Sequence, residues 1–167
     1  EVGNLVGDLD ELPVFDYKLY FDKFPTLAKS PTKTFIAGRG CPFPCAYCFN
    51  RQYMGIYKGK GSYVRHKSPD KLLQEIQLVK SEYPIKWVQF NDDTFAQDGK
   101  WCQEFFSKYK TQINLPFLCN LEPKLVDEVL IAMLKDAGVA RVDFGIECGN
   151  ERYRREVLNR NVTDAEI

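Results

Sequence analysis

Short apolar runs alternate along the chain with longer segments in which apolar residues recur at helical spacing. Four short runs, at 34–39, 85–90, 116–119 and 141–146, have the length and composition of strands. A helical segment follows each run before the next one begins. Strands that alternate with helices in this way form a parallel sheet with helices outside it. The pattern therefore predicts an α/β fold of about four βα units.

The residues at the predicted helix ends support this division. Ser68, Pro69 and Asp70 suit the start of the first helix as N-cap, first-turn proline and acidic residue at the positive end of the helix dipole. We expect Pro84 to end that helix and Gly138 to end the third one. The second helix, at about 99–111, is expected to turn inward the side chains of Trp101, Cys102, Phe105, Phe106 and Tyr109.

Two stretches lack such a pattern. Residues 1–33 are rich in aromatic residues and interrupted by prolines and carboxylates, so we expect a lead-in with little regular structure that packs onto the following domain. Residues 49–67 contain three glycines and several basic side chains, and we expect a long loop there. Those basic residues fit a solvated face better than a phosphate site.

Charge and composition narrow the classes of protein. The 167 residues include 23 basic and 23 acidic ones, so no strong field favours nucleic acid. No apolar run approaches the roughly 20 residues that span a membrane, and the first residues do not resemble a signal peptide. Because the chain does not begin with methionine, we expect a piece of a longer protein. Three of the six cysteines are clustered and three are scattered, which is not a disulfide framework, so a cytoplasmic location is expected.

The clustered cysteines are Cys41, Cys45 and Cys48, spaced C-x3-C-x2-C directly after the first predicted strand. Thiolates are soft ligands that suit zinc, copper(I) or an iron–sulfur cluster. A structural zinc site takes four protein ligands, whereas the chain has no second C-x2-C pair and a single histidine, His66. Three thiolates in one loop fit a cubane cluster better, with one iron left open. An incomplete zinc site and a chance grouping in a turn are the alternatives.

Polar residues also follow the other three predicted strands. Ligands gather at the carboxyl ends of parallel strands, so we expect these residues to face the same rim as the cysteine loop. Each has an ordinary structural alternative, such as a turn, a helix cap or an ion pair. The residues are Asn91, Asp92, Asp93, Asn120, Glu122 and Glu147.

The cysteine spacing, with Tyr47 just before the last cysteine, resembles that of the radical S-adenosylmethionine (radical SAM) superfamily. Residues 90–95 and 145–149 are similar to its second- and fourth-strand motifs. The resemblance implies a partial TIM-type (βα) barrel, truncated here to about four of its six units at 34–167. It implies that the three clustered cysteines bind a [4Fe-4S] cluster whose open iron chelates S-adenosylmethionine (SAM). The residues implied to bind this cofactor are Tyr47, Asn91, Asp92, Asp93, Asn120 and Glu147.

The resemblance also implies a reaction. Reductive cleavage of SAM would yield methionine and a 5′-deoxyadenosyl radical, with an electron donor such as flavodoxin or ferredoxin. Residues 12–17 resemble the segment that enters the radical SAM domain in enzymes with an upstream cobalamin-binding domain. Residues 1–33 are therefore interpreted as a linker from such a domain, cobalamin as a further cofactor, and methyl transfer or another radical modification as the reaction.

Two positions depart from the family pattern, and other functions remain open. Cys148 stands where serine is usual, and Asn120 stands where relatives often place an arginine. One alternative is a radical SAM enzyme without cobalamin, of a methylthiotransferase-like or oxidative kind. The other is an iron–sulfur carrier or zinc-binding module. The substrate, small or macromolecular, is not indicated by these residues, and a truncated chain is expected to be inactive alone.

Overall fold

The computed structural model describes residues 2–167 and has a four-stranded parallel sheet at its centre. Across the sheet the strands lie in the order Thr32–Phe35, Trp87–Phe90, Phe117–Leu121 and Val139–Phe144, and each pair of neighbours is parallel. The predicted α/β fold, a parallel sheet with flanking helices, is confirmed. In chain order the elements are α1 (Lys18–Phe21), α2 (Pro25–Lys29), β1 (Thr32–Phe35), β2 (Gly38–Arg39), α3 (Phe49–Ile56), β3 (Arg65–His66), α4 (Pro69–Glu82), β4 (Trp87–Phe90), α5 (Gly99–Gln112), β5 (Phe117–Leu121), α6 (Glu128–Ala137), β6 (Val139–Phe144) and α7 (Glu151–Glu156).

The core lies between the sheet and the row of helices α4, α5 and α6. Phe90 at the end of β4 is fully buried, and its ring centroid lies 4.4 Å from Phe95 and 5.6 Å from Phe105. Such aromatic pairs add to the stabilisation from buried apolar area. The inward face predicted for the second long helix is confirmed: four of its five residues are buried in this core, and Trp101 is partly buried against it.

The predicted helix ends are also confirmed. The Ser68 hydroxyl accepts a hydrogen bond from the Lys71 amide at 3.1 Å, and Pro69 is the first residue of α4. Helix α4 ends at Glu82, two residues before Pro84. Gly138 follows α6 with a φ of 90°, the left-handed conformation that glycine adopts without strain. Local sequence therefore sets where these helices begin and end.

The prediction of a long loop at 49–67 is wrong. Residues Phe49–Ile56 form α3, and β3 at Arg65–His66 pairs antiparallel with β2. The single first strand predicted at 34–39 is divided for a related reason. The Asp92 carboxylate accepts the amide hydrogens of Ala37 and Gly38, at 2.9 and 2.6 Å. Because those amides bond to a side chain, the chain leaves the sheet after Phe35 and then starts a separate hairpin.

The lead-in contains more regular structure than its composition predicted. Two short helices, α1 and α2, and a 3-10 turn at Leu9–Glu11 lie before β1. The expected packing of aromatic residues onto the domain is present, since Tyr17 lies 5.7 Å from Phe35 between ring centroids. Within residues 2–167, no helix has both the length and the apolar character needed to span a membrane.

Candidate functional site

A cavity of about 350 Å³ opens at the carboxyl ends of the parallel strands. All three clustered cysteines line it, although the strands that supply its other walls are far apart in sequence. Seven of the nine predicted site residues are brought together here. They are Cys41, Cys45, Cys48, Tyr47, Asp93, Asn120 and Glu147.

Asn91 and Asp92 are the two predicted site residues that do not line the cavity. Asn91 is exposed, and its backbone amide bonds to the Phe35 carbonyl. Asp92 is buried, and its two carboxylate oxygens accept the backbone amides of Ala37 and Gly38, shortly before the cysteine loop. Burial raises the pKa of Asp92 to about 6, against the opposing effect of those two hydrogen bonds. The structure therefore places Asp92 as a support of the loop.

The backbone before the first cysteine needs a glycine. Gly40 has a φ of 83°, and a Cβ at this position would collide with the Tyr63 carbonyl oxygen. A residue with a side chain would face both a steric clash and the cost of the left-handed region. Gly40 thus lets the chain turn sharply between the hairpin strand β2 and Cys41.

Each of the three sulfurs has a polar neighbour from a different part of the chain. Thr94 Oγ1 lies 3.7 Å from Cys41 Sγ. Asn50 Nδ2 donates to Cys48 Sγ at 3.5 Å, and Arg160 Nη1 donates to Cys45 Sγ at 3.8 Å. Donors near a sulfur favour the thiolate and adjust the potential of a cluster that the sulfur holds. The donor set, three soft ligands with polar partners at their sulfurs, fits an iron–sulfur cluster.

Arg160 connects the cysteine loop to the ends of two strands. Its guanidinium bonds to the Gly145 carbonyl, lies 3.5 Å from the Tyr47 hydroxyl, and pairs with Glu122 at 2.9 Å. Its Nε is buried without a hydrogen-bond partner. Both side chains of the ion pair are more than nine-tenths buried. Burial raises the pKa of Glu122, while the Arg160 charge opposes that rise.

The residues just before Arg160 bind the same loop. The Ala46 amide donates to the Leu158 carbonyl at 2.7 Å. The Asn159 side chain donates to the Pro44 carbonyl at 2.8 Å. Residues 158–160 therefore form a clamp over the stretch between Cys41 and Cys48, which we call the loop clamp.

Burial shifts the pKa values of two other ionisable groups of the site. Burial raises the pKa of the Cys41 thiol and so favours its protonated form in the metal-free protein. Metal binding releases such a proton, so affinity for a metal is expected to rise with pH. Burial also raises the pKa of Tyr47, although Arg160 acts in the opposite direction.

Sequence reasoning missed several residues of the cavity wall. Asn50 was missed because a loop was expected where helix α3 lies. Arg160 was missed because it follows a helix and no motif lies near it. Glu122 was placed on the rim but given no role, and the structure pairs it with Arg160. Thr94 and Asp143 belong to segments recognised as strand ends. Thr94 lies four positions after the end of β4 and Asp143 lies within β6, so their place in these segments is the only signal that could have found them.

The remaining cysteines and the histidine lie outside this cavity. Cys102 and Cys119 are buried in the hydrophobic core, as small apolar residues often are. His66 packs against Trp101 at 5.5 Å between ring centroids, and burial lowers its pKa. In residues 2–167, no three His, Cys, Asp or Glu side chains are grouped to hold a single metal ion.

Comparisons with known proteins identify a family and a fold for this chain. The profile of the family described as the Radical SAM superfamily matches residues 35–167. An uncharacterized methyltransferase of Pyrococcus horikoshii is 26% identical over 161 residues, covering 95% of this chain and 33% of that protein. Cytidylyl-2-hydroxyethylphosphonate methyltransferase of Streptomyces wedmorensis is 24% identical over 168 residues, covering 94% of this chain and 30% of that protein. The chain thus spans about a third of the curated relatives it matches.

A third curated relative and two solved structures extend the comparison. Anaerobic magnesium-protoporphyrin IX monomethyl ester cyclase of Cereibacter sphaeroides is 24% identical over 137 residues, covering 77% of this chain and 20% of that protein. The radical SAM methyltransferase TsrM of Kitasatospora setae, bound to tryptophan and a SAM analogue, has a TM-score of 0.63 at 14% identity, over 78% of this chain and 24% of that one. A second TsrM structure, with cobalamin and a [4Fe-4S] cluster, also has a TM-score of 0.63. The family match confirms the resemblance inferred from the cysteine motif, and the structures confirm the fold.

Proposed function

The chain belongs to the radical SAM superfamily, and from that premise we propose that it is the cofactor-binding part of a radical SAM methyltransferase. The observation that carries the proposal is the cavity at the strand ends, where three thiols meet several polar side chains. The relatives named as methyltransferases support the reaction type. Methyl transfer is a proposal for the whole protein, of which this chain is about a third by comparison with those relatives.

Cys41, Cys45 and Cys48 would hold a [4Fe-4S] cluster with one iron free for SAM. The electron for reductive cleavage of SAM to methionine and a 5′-deoxyadenosyl radical would come from that group, as iron–sulfur potentials extend to about −700 mV. The residues of this chain bind SAM and orient it. Asp93 and Glu147 line the cavity as carboxylates that complement the ammonium of SAM, and Asn120 supplies amide donor and acceptor groups.

The cysteine loop is held in place by the rest of the chain. Pro42 and Pro44 restrict the backbone on either side of Phe43. The loop clamp holds the cysteine loop through hydrogen bonds between residues 158–160 and that loop. A loop fixed in this way excludes competitors for a reactive intermediate, which is the protein's main contribution in cofactor enzymes.

Several features of the whole protein belong to the same proposal. Residues 34–167 are part of a larger radical SAM core, and residues 1–33 link it to an upstream domain that binds cobalamin. An electron donor such as flavodoxin or ferredoxin supplies the electron. We propose a cytoplasmic location, because thiol ligands need reducing surroundings. A ring-forming reaction is the second candidate, supported by the similarity to the cyclase of Cereibacter sphaeroides.

Anaerobic reconstitution with iron and sulfide tests the proposal. We expect the reduced protein to show the EPR signal of a [4Fe-4S] cluster, and SAM to change that signal and release 5′-deoxyadenosine. S-adenosylhomocysteine, which has no sulfonium, is the control and should release none. A cluster that ignores SAM would point to an electron carrier, and a protein that binds zinc but forms no cluster would refute the proposal.

A further inference from the structure

Charge is distributed unevenly along a chain that is neutral overall. No aspartate or glutamate occurs between Asp22 and Asp70, although the whole chain has 23 acidic residues. The cysteine loop lies inside this stretch. Nine basic residues lie there too, at Lys23, Lys29, Lys33, Arg39, Arg51, Lys58, Lys60, Arg65 and Lys67.

Several of these cations have no carboxylate partner in the described residues 2–167. Lys67 pairs with Glu75 at 2.6 Å, and Lys33 is buried on backbone carbonyls. Arg39, Arg51, Lys58 and Arg65 are in no ion pair within that range, and Arg39 lies opposite Arg65 across the β2–β3 hairpin. Like charges placed opposite each other destabilise a strand pair. An anion from outside would relieve that repulsion.

Exposed aromatic rings continue from these cations toward the cysteines. Phe49 is 56% exposed and Tyr53 is 47% exposed, and their ring centroids lie 5.4 Å apart. Tyr53 in turn lies 6.3 Å from Tyr57. Aromatic and arginine side chains are enriched in protein–protein interfaces. We call the whole set, Arg39, Phe49, Arg51, Tyr53, Tyr57, Lys58 and Arg65, the basic aromatic surface.

A cavity in this surface suits a carboxylate. Arg39, Tyr57 and Arg65 line a space of about 350 Å³ together with six residues of the lead-in, and no acidic residue lines it. Arg65 Nη1 donates to the Val6 carbonyl at 2.6 Å, whereas its Nε is buried without a hydrogen-bond partner. The Asp92 carboxylate, which interacts electrostatically with Arg39, already accepts two backbone amides. An arginine pair binds carboxylates through planar, charge-assisted hydrogen bonds.

The basic aromatic surface is directly connected to the cysteine ligands. Helix α3 begins immediately after Cys48, which is its N-cap. Asn50 bonds to Cys48 Sγ, and the Tyr63 hydroxyl donates to Asn50 Oδ1 at 2.6 Å. A partner on α3 would therefore be separated from the cluster by few residues.

We propose that the basic aromatic surface is the docking site of an acidic one-electron carrier protein, whose carboxylates enter the space between Arg39 and Arg65. This inference rests on the proposed function, because it needs the cluster. In the transfer, the reduced cofactor of the partner loses one electron and the oxidised cluster gains it, and no atom moves. Opposite charges would speed the encounter, which makes the rate dependent on salt.

The experiment follows cluster reduction in stopped flow, with a flavodoxin in its hydroquinone form as the probe. The test variant is Arg51→Glu with Lys58→Glu, since both side chains are exposed. We expect the rate to fall about tenfold at about 10 mM salt, where the Debye length is about 30 Å, and the difference to vanish near 1 M, where it is about 3 Å. Arg65→Gln should also lower the rate of cluster reduction at low salt, so that this rate depends less on salt.

The matched control is Lys86→Glu with Lys135→Glu, which makes the same change in net charge at exposed positions near the opposite end of the sheet. We expect this control to keep the normal rate. EPR and iron content are measured first, so that absence of a cluster, which refutes the proposed function, is distinguished from loss of docking. Equal rates in both double variants would refute the docking site. So would a slow rate that persists at 1 M salt, or a changed cluster EPR signal in the test variant.

Discussion

Nη1 of Arg160 lies 3.8 Å from Sγ of Cys45, although 115 positions separate the two residues in sequence. The same guanidinium pairs with Glu122, so one thiol of the cysteine loop is connected to a buried ion pair. The charge of the site at this sulfur is therefore set by two residues that are not ligands. This relationship leads to opposite predictions for the two partners.

Arg160→Gln removes a positive charge beside Cys45, so the midpoint potential of the reconstituted cluster should become more negative. Glu122→Gln removes the opposing negative charge, so the potential should become less negative. EPR-monitored redox titration measures both. Arg152→Gln, which affects only an exposed helix pair with Glu156, is the control and should leave the potential unchanged. Shifts of the same sign in both test variants would contradict the electrostatic explanation.

The stability of the buried pair can be tested separately. Arg160→Gln leaves the Glu122 carboxylate buried without its partner, and we expect a loss of about 3–5 kcal/mol in the free energy of unfolding. The double variant with Glu122→Gln buries no unpaired charge, so its loss should be clearly smaller. Urea unfolding of the two variants and the parent measures the difference. A double variant as unstable as Arg160→Gln would show that lost packing is responsible.

Replacing Cys41, Cys45 or Cys48 by alanine should abolish formation of the cluster, because we propose that each supplies one of three thiolates. Cys102→Ala should keep it, since Cys102 is buried in the core on α5. Iron content and the visible absorption of anaerobically reconstituted protein are the measurements. A full [4Fe-4S] spectrum in any of the first three variants would contradict the assigned ligands.

Gly40→Ala should reduce both cluster content and stability. The substitution combines a positive φ with a collision at the Tyr63 carbonyl, for a loss of about 1–3 kcal/mol. Gly55→Ala is the matched control, because Gly55 lies in α3 with open space around its Cβ position. That change should stabilise the protein by about 0.5–1 kcal/mol. Equal behaviour of the two variants in thermal unfolding would count against the strained turn.

Asp92 should make stability depend on pH. Burial raises its pKa to about 6 in the folded protein, against an ordinary value of 3.8. The folded state thus binds more protons between these values, and the Asp92 contribution is present below about pH 4 and lost as the pH rises through 6. The loss is at most about 3 kcal/mol. Urea unfolding of parent and Asp92→Asn at several pH values isolates it, and an unchanged difference between them would contradict the shifted pKa.

Features that depend only on residues close together in sequence could be predicted from the sequence. Ser68 and Gly138 mark helix ends through their own backbone and side-chain bonds, and the period of apolar residues indicates which face of α5 is buried. The spacing of the three cysteines likewise places their thiols in one loop. These are local properties, so they do not depend on how the rest of the chain folds.

Other features depend on contacts between distant segments. Asp92 was expected at the rim, but its carboxylate binds the amides of Ala37 and Gly38, which are 55 and 54 positions away in sequence. The division of the first strand has the same cause. Helix α3 was missed because its glycine and basic residues also suit a loop. The hydrogen bonds of Asn50 with Tyr63 and Asp93 form only when the chain is folded.

The sequence by itself determined the four strands of the parallel sheet and the three long helices between them, and it placed Cys41, Cys45 and Cys48 in one loop, since both follow from local spacing. Tertiary structure alone decided which polar side chains surround those sulfurs. Arg160 reaches Cys45 because parallel strands bring all their carboxyl ends to one rim, and the residues after β6 fold back over the loop after β1. No spacing along the chain encodes that approach.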